Sequence, residues 1–260
     1  MALDIFAVAE LLPMYLWPMI RISAFVIAVP AIGGAFVPRR IRAILALVLT
    51  LAIAPSAATD APPEVIFSLS AALLVMQEVL LGILMGFTVQ LVFDAIVLGA
   101  QTVSMSMGLG FAVFLDRVSG VNIPVIGQMY LMLAMLLFLS ADGHLQLIRL
   151  LAESFSTAPV GTSFLALGDL EGVLTFSSQL FVGAMRIALP AIATLLIVNL
   201  AFGVMSRAAP SMNLFAVGFP ISMLLGFLTL YATVGGLAQV FSTSFPLALE
   251  SLSALIGGFR

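Results

Sequence analysis

Five charged residues lie inside long apolar runs: Arg21, Glu78, Asp94, Arg186 and Arg207 each have greasy sequence on both sides. An ionised side chain at a bilayer centre costs on the order of 2.5–3.5 kcal/mol or more, so such residues face a protein interior, a water-filled path or a partner subunit. The stretch from Glu78 through Gly82 to Gly86 places one acid and two small residues four apart on one helix face. That spacing builds a groove into which another backbone fits closely. Its carboxylate either pairs with an arginine of another helix or subunit, sits near ordinary intramolecular packing, or serves an ion or proton relay.

Two further strings carry possible chemistry. Residues 101–117 are hydrophobic yet hold Met105, Met107, Gly108, Gly110, Phe111 and Phe114, and end in the polar pair Asp116-Arg117. Glycine frees the backbone, and methionine repacks around irregular shapes. Such a segment either seals a pore and can be pushed aside, or forms a buried re-entrant loop without a gating role. The one histidine, His144, follows Ala141-Asp142-Gly143. Its proximity to Asp142 suggests proton transfer, but no Gly-x-Ser-x-Gly nucleophile string accompanies it, and at the end of an apolar span it reads as a turn or cap residue.

The elements that position these groups must be membrane-type helices. Of the 260 residues, 63% are hydrophobic and 8% charged, and the mean hydropathy is +1.27. These values place the chain in the integral-membrane class, with room for roughly six spans of about 20 residues. The apolar runs are Leu11–Phe36, Ile41–Ala54, Val65–Ala100, Ile123–Leu139, Val173–Met205 and Met212–Phe245. The connectors between them include Gln101–Asn122 and Ala141–Gly172. Three runs exceed one bilayer crossing. Tilt, extension beyond the hydrocarbon under a protein sheath, or, for the last, a hairpin at Gly235-Gly236 would each accommodate the excess.

Composition also excludes chemistry. All nine basic residues are Arg and cysteine is absent, so a P-loop lysine, a Schiff-base lysine, a disulfide and a thiolate metal site are ruled out. A single His cannot build a histidine metal cluster, and neither a metal nor another cofactor is expected. The net charge of −3 gives no sign of nucleic-acid binding. Asp4 and Glu10 replace the positive start of a signal peptide, so no cleaved leader is expected. The cluster Arg39, Arg40 and Arg42 places its loop in the cytoplasm by the positive-inside rule. At the other end, Arg207-Ala-Ala-Pro210 joins the last two runs. Pro210 stops one helix, Asn213 can cap the next, and Arg207 suits a helix C-terminus.

Taken in order, these strings resemble the FliR/SctT family, the export-gate subunit of flagellar and injectisome type III secretion. The likeness runs from Arg21 before Pro30 and Pro38, through Glu78, Gly82 and Gly86, to Met107-Gly108-Leu109 with Phe111 and Asp116. It continues in Gly143-His144, Pro159-Val160-Gly161, Arg207-Ala-Ala-Pro210, and Gly218-Phe219-Pro220 with Gly226. Two departures stand out: Asp116-Arg117 where the family often has Asp-Pro, and Pro210-Ser211 where it often has Pro-Gln.

The resemblance implies an all-α fold of kinked helical hairpins. Residues 1–172 would form a FliP-like region with a plug loop at about 101–122, and residues 173–260 a FliQ-like hairpin. It implies a role as a non-enzymatic wall and seal of a channel for unfolded flagellar substrates, with no nucleic acid involved. The implied partners are FliP-like and FliQ-like subunits, together with FlhB-like and FlhA-like export proteins. The implied place is the bacterial inner membrane and flagellar basal body, partly on the periplasmic side. The implied plug residues are Met105, Met107, Gly108, Leu109, Gly110, Phe111, Phe114 and Asp116. The implied packing and buried-charge residues are Arg21, Glu78, Gly82, Gly86, Asp94, Arg186, Arg207, Pro210, Gly218 and Pro220. The rival reading from another class is a secondary transporter coupling ions through Glu78, Asp94 and Arg186. It would call for inverted repeats, which the sequence does not display.

Overall fold

Ser and Thr hydroxyls explain why some helices outrun their apolar stretches. A hydroxyl that bonds the carbonyl four residues back lets a polar residue sit within a helix. Thr102 donates to the Leu98 carbonyl at 2.8 Å and Ser106 to the Thr102 carbonyl at 2.9 Å. The helix that carries Glu78 therefore continues beyond Ala100, and residues 101–106, expected in a connector, are helical.

The computed structural model describes residues 5–34, 37–56, 68–109, 125–161, 171–208 and 214–257. Its elements are α1 (Ile5–Ala28), the short α2 (Pro30–Gly33), α3 (Arg39–Ile53) with a 3-10 turn at Ala54–Ser56, and α4 (Leu69–Ser106). Next come α5 (Val125–Ser140), α6 (Gly143–Thr157), α7 (Glu171–Ala208) and α8 (Leu214–Gly257). The protein is all-α in the membrane style. Three of the described helices, α4, α7 and α8, are long and apolar enough to cross a membrane, and α5 with α6 counts as a fourth, broken span. The first two apolar runs fold into α1, with Pro13 and Pro18 inside it, and the 15-residue α3.

The expected connector at 141–172 contains a whole helix, α6. Its buried residues Gly143, Leu147, Leu151, Ser154 and Phe155 recur every three or four positions. The pair Arg149 and Glu153 faces out, with Arg149 Nε donating to Glu153 Oε1 at 2.9 Å. Asp142, at φ 53°, breaks the chain between α5 and α6. At the other end, α8 runs unbroken through Gly235 and Gly236, so no hairpin forms there. At 1.5 Å per residue, the 44 residues of α8 extend about 66 Å, twice a hydrocarbon core of about 30 Å.

The residues divide into two units, each drawn from separate stretches of sequence. The first comprises Met1–Leu91, Ala141–Ser177 and Pro246–Arg260, and the second Val92–Ser140 and Ser178–Phe245. In the first unit the close-packed seam is α1 against α4. A Cβ on Gly82 would strike the Arg21 carbonyl and lie 2.8 Å from Ala24 Cβ, and one on Gly86 would strike Ala28 and lie 3.0 Å from Val29 N. The backbone that fits the small-residue groove is thus the chain's own α1. Leu81 of α4 packs with Val173 and Leu255 beside this seam.

The second unit is centred on an aromatic cluster from α4, α5 and α8. Phe93 meets Phe138 edge-on at 5.6 Å and Phe241 at 6.2 Å, while Phe241 stacks on Phe245 at 5.3 Å. Edge-to-face and offset rings at these distances add stabilisation beyond their buried area. Gly99 of α4 and Gly183 of α7 let α7 close up on α4. A Cβ on Gly99 would lie 2.8 Å from the Ala184 carbonyl, and one on Gly183 would lie 3.3 Å from Ala95 Cβ.

The glycines divide sharply by surroundings, and this generates a test. Gly82→Ala must push a helix backbone aside and is expected to cost about 1–3 kcal/mol. Gly235→Ala and Gly236→Ala meet nothing within 4 Å and are expected to be neutral or to stabilise by up to about 1 kcal/mol through helix propensity. Thermal unfolding of the purified chain in detergent should separate the two classes; equal shifts would contradict the α1–α4 seam.

Candidate functional site

Arg21 is fully buried, and it is the largest side chain to be so among the described residues. It projects from α1 toward α4 and the end of α6. A guanidinium has five N–H donors, and here each has an acceptor. Nε donates to Glu78 Oε2 at 2.6 Å and Nη2 to Glu78 Oε1 at 3.0 Å, a bidentate pair. Nη1 donates to the Ser154 carbonyl at 3.1 Å and to Ser154 Oγ at 3.2 Å, and Nη2 also reaches the Ala158 carbonyl at 3.0 Å. The Ser154 hydroxyl passes its own proton to the Leu151 carbonyl at 2.7 Å. Arg21 Cζ lies 4.3 Å from the centroid of the Phe155 ring.

Each contact has a physical reason. Glu78 is also fully buried, and a charge taken out of water is tolerable only when paired and fully hydrogen-bonded. The bidentate fork is the strong arrangement for a carboxylate. The Ser154 and Ala158 carbonyls belong to the C-terminal end of α6, where the helix dipole favours a cation. The Phe155 ring adds a cation–π contact. Gly82, one turn beyond Glu78, keeps α4 close enough to α1 for the fork to close. One arginine therefore joins three helices and caps one of them. Both carboxylate oxygens of Glu78 are held by the guanidinium.

A second constellation closes α4. Leu109 N donates to the Ser104 carbonyl at 3.1 Å and Gly108 N to the Met105 carbonyl at 3.0 Å. With Gly108 at φ 84°, this pair is the Schellman stop, which requires a residue in the left-handed region and takes glycine there. Met107 is buried, and a Cβ on Gly226 of α8 would lie 2.7 Å from its Cε. The Phe219 ring approaches Gly108, its Cδ2 at 3.3 Å from the site of a Cβ. Met105, one helical step away, is exposed, and Leu109 is half-buried. Gly110, Phe111, Phe114 and Asp116 lie outside the described residues.

The other residues singled out in the sequence are not brought to the arginine node. Asp94 is half-buried on α4, and Arg186 is exposed on α7. Arg207 is exposed in the last turn of α7, the end that favours a cation. Pro210 falls outside the described residues. Gly218 is buried near the Phe202 ring, whose Cδ2 would lie 3.7 Å from a Cβ, while Pro220 is exposed near the start of α8. His144 is half-buried in the first turn of α6, directly after the break at Asp142. Among the described residues no group of three His, Cys, Asp or Glu could hold a metal.

Sequence reasoning missed Ser154 and Ala158 as partners of Arg21, and Gly99 and Gly183 as packing residues. The amphipathic period of α6 signals a helix with a buried face, but not that its end accepts from Arg21.

Buried charge satisfied within the chain, backbone-close helix seams and over-long apolar helices define a helical membrane subunit built for packing. The sequence matches the family described as bacterial export proteins, family 1, over residues 12–247. It is similar to the flagellar biosynthetic protein FliR of Escherichia coli, 37% identical over 249 residues that cover 94% of each chain. It is also similar to FliR of Aquifex aeolicus, 30% identical and covering 92% of each, and to FliR of Bacillus subtilis, 28% identical and covering 96% of this chain and 97% of that one. The chain belongs to this FliR family of bacterial export proteins.

The arginine node generates its own test. Glu78→Leu alone strands a buried cation, and Arg21→Met alone strands a buried anion. Each is expected to cost about 3–5 kcal/mol, while the double variant should be far milder than the sum. A double-mutant cycle on the thermal stability of the purified chain measures this; additive losses would contradict a direct pair.

Proposed function

We propose that this chain is a subunit of the flagellar type III secretion export gate, lining part of the channel through which unfolded substrates leave. Its similarity along nearly the full length to proteins named for flagellar biosynthesis carries this reading. The role is structural: the chain forms wall and seal, and another component supplies the energy. It works in the inner membrane at the basal body, with the assembled gate partly on the periplasmic side.

The outward faces support assembly with other subunits. In the most apolar stretch of α4, 61% of residues are buried within the chain, against 22% in α7 and 17% in α8. Along α7 the exposed residues Val182, Met185, Arg186 and Leu189 form one stripe at helical spacing. Arg186 has no partner among the described residues. A cation within an apolar stripe is costly against lipid and suits a neighbouring helix that offers a carboxylate. FliP-like and FliQ-like subunits are the proposed neighbours, with FlhB-like and FlhA-like proteins at the periphery. In this reading residues 1–172 play the FliP-like part and residues 173–260 the FliQ-like part.

The seal is assigned to the segment that begins at the end of α4. Met107 roots it against α8, the Gly108 stop turns the chain out of the helix, and Met105 is presented outward. The following stretch, with Gly110, Phe111, Phe114 and Asp116, would supply the apolar constriction that closes by excluding water. Arg207, Pro210, Gly218 and Pro220 shape a corner that a neighbouring subunit recognises, and Asp94 contributes to packing.

Co-expression with FliP-like and FliQ-like proteins tests the assignment. The chain is expected to purify in one particle with both, and Arg186→Glu to reduce its recovery in that particle at least about tenfold, since like charges then face each other. Normal recovery of the variant would contradict a carboxylate neighbour. A chain that never co-purifies with either protein would overturn the gate assignment. Gly108→Val, which forces a branched side chain into a left-handed backbone, is expected to make the membrane leak small ions while the particle survives.

A further inference from the structure

The arginine cluster at the start of α3 borders a groove that the gate assignment does not use. The groove holds about 410 Å³ and is lined by Ser23, Val26 and Ile27 of α1 and by Arg39, Arg42, Ala43 and Ala46 of α3. Its ends differ in character. Arg39 and Arg42 lie at the N-terminal end of α3, where the helix dipole favours an anion. The walls beyond are aliphatic.

Arg42 is fixed in place: Nε donates to the Val37 carbonyl at 3.1 Å and Nη1 to the Gly33 carbonyl at 3.1 Å. Its Nη2 donors remain available. Arg39 and Arg40 are exposed and have no partner among the described residues. The Ser23 hydroxyl is likewise without a partner there. Three guanidinium groups within four residues thus gather beside an apolar slot with no described carboxylate to answer them.

The α3 helix is also apolar on the face turned away from the slot. Ile41, Ile44, Leu47, Val48 and Leu51 are all exposed, so the helix is apolar on its open side below its arginines. Its 15 residues span about 22 Å, too short to cross a bilayer and close to one leaflet with its headgroup layer. An amphiphile with an anionic head and a hydrocarbon tail matches this order of surfaces: charge at the mouth, aliphatic wall along the helix.

We propose that this groove binds one anionic phospholipid, its phosphate held by Arg39, Arg42 and the start of α3 and its acyl chain lying between α1 and α3. The inference is independent of the gate assignment, since it rests on this unit's own surface. It gives the first unit a fixed contact with the membrane leaflet that carries the arginine loop.

Native mass spectrometry of the full chain, delipidated and then offered phosphatidylglycerol or phosphatidylcholine in mixed micelles, tests the proposal. Wild type is expected to retain one phosphatidylglycerol in clear preference to phosphatidylcholine. Arg39→Gln should lower that occupancy about fivefold, the share of one arginine in a headgroup contact. Ala43→Phe, which fills the apolar wall and leaves every charge, should also expel the lipid. Arg149→Gln, an exposed arginine on α6, should change nothing. Equal retention of the two lipids would overturn the proposal, as would full occupancy in Arg39→Gln or Ala43→Phe. Displacement of the lipid by inorganic phosphate alone would also overturn it, because the site would then read phosphate and not a lipid.

Discussion

A buried guanidinium with every donor used is the constraint on which the first unit depends. Arg21 cannot be moved without stranding Glu78, uncapping the end of α6 and opening the α1–α4 seam. In hydrocarbon or in packed protein alike, an unpaired charge costs several kcal/mol. Pairing alone does not make the node a large net source of stability, because both ions have been taken from water. Its effect is to admit one arrangement: the fork closes only when α4 approaches at Gly82, and the remaining donors are met only when α6 ends at Ser154 and Ala158. The node therefore specifies which helices meet and in what register.

The second unit uses a different device for the same end. Four phenylalanines from α4, α5 and α8 interlock, and Gly99 and Gly183 let α4, α7 and α8 approach closely. The stop at Gly108 is held by Met107 against Gly226. The segment proposed as the seal thus starts from a rooted methionine and a fixed turn. The outward stripes of α7 and α8 are the complement of these seams. On the proposed gate assignment, the apolar faces interrupted by Arg186 would be finished by other protein.

Much of this was legible in the sequence, for physical reasons that differ by element. Charges in apolar runs announced Arg21 and Glu78, because lipid allows few alternatives. The four-residue spacing of Glu78, Gly82 and Gly86 announced a seam, although not that its occupant is α1 of the same chain. The C-terminal end of α4 was misjudged because hydropathy is blind to hydroxyls that bond back to their own helix at Thr102 and Ser106. The α6 helix was hidden within a supposed connector because its polar residues, Gln146, Arg149 and Glu153, lowered its hydropathy while its buried face kept a helical period. The partners of Arg21 at Ser154 and Ala158 were out of reach, since two of the three acceptor groups are backbone carbonyls and carry no residue signature.

The central claim is that protein, not lipid, covers the Val182–Leu189 stripe of α7. A photo-crosslinking amino acid placed at Met185 in flagellated cells reads this directly. The account predicts a crosslink to another export subunit, lost when that subunit is deleted. Crosslinks to lipid alone, with motility intact, would contradict it.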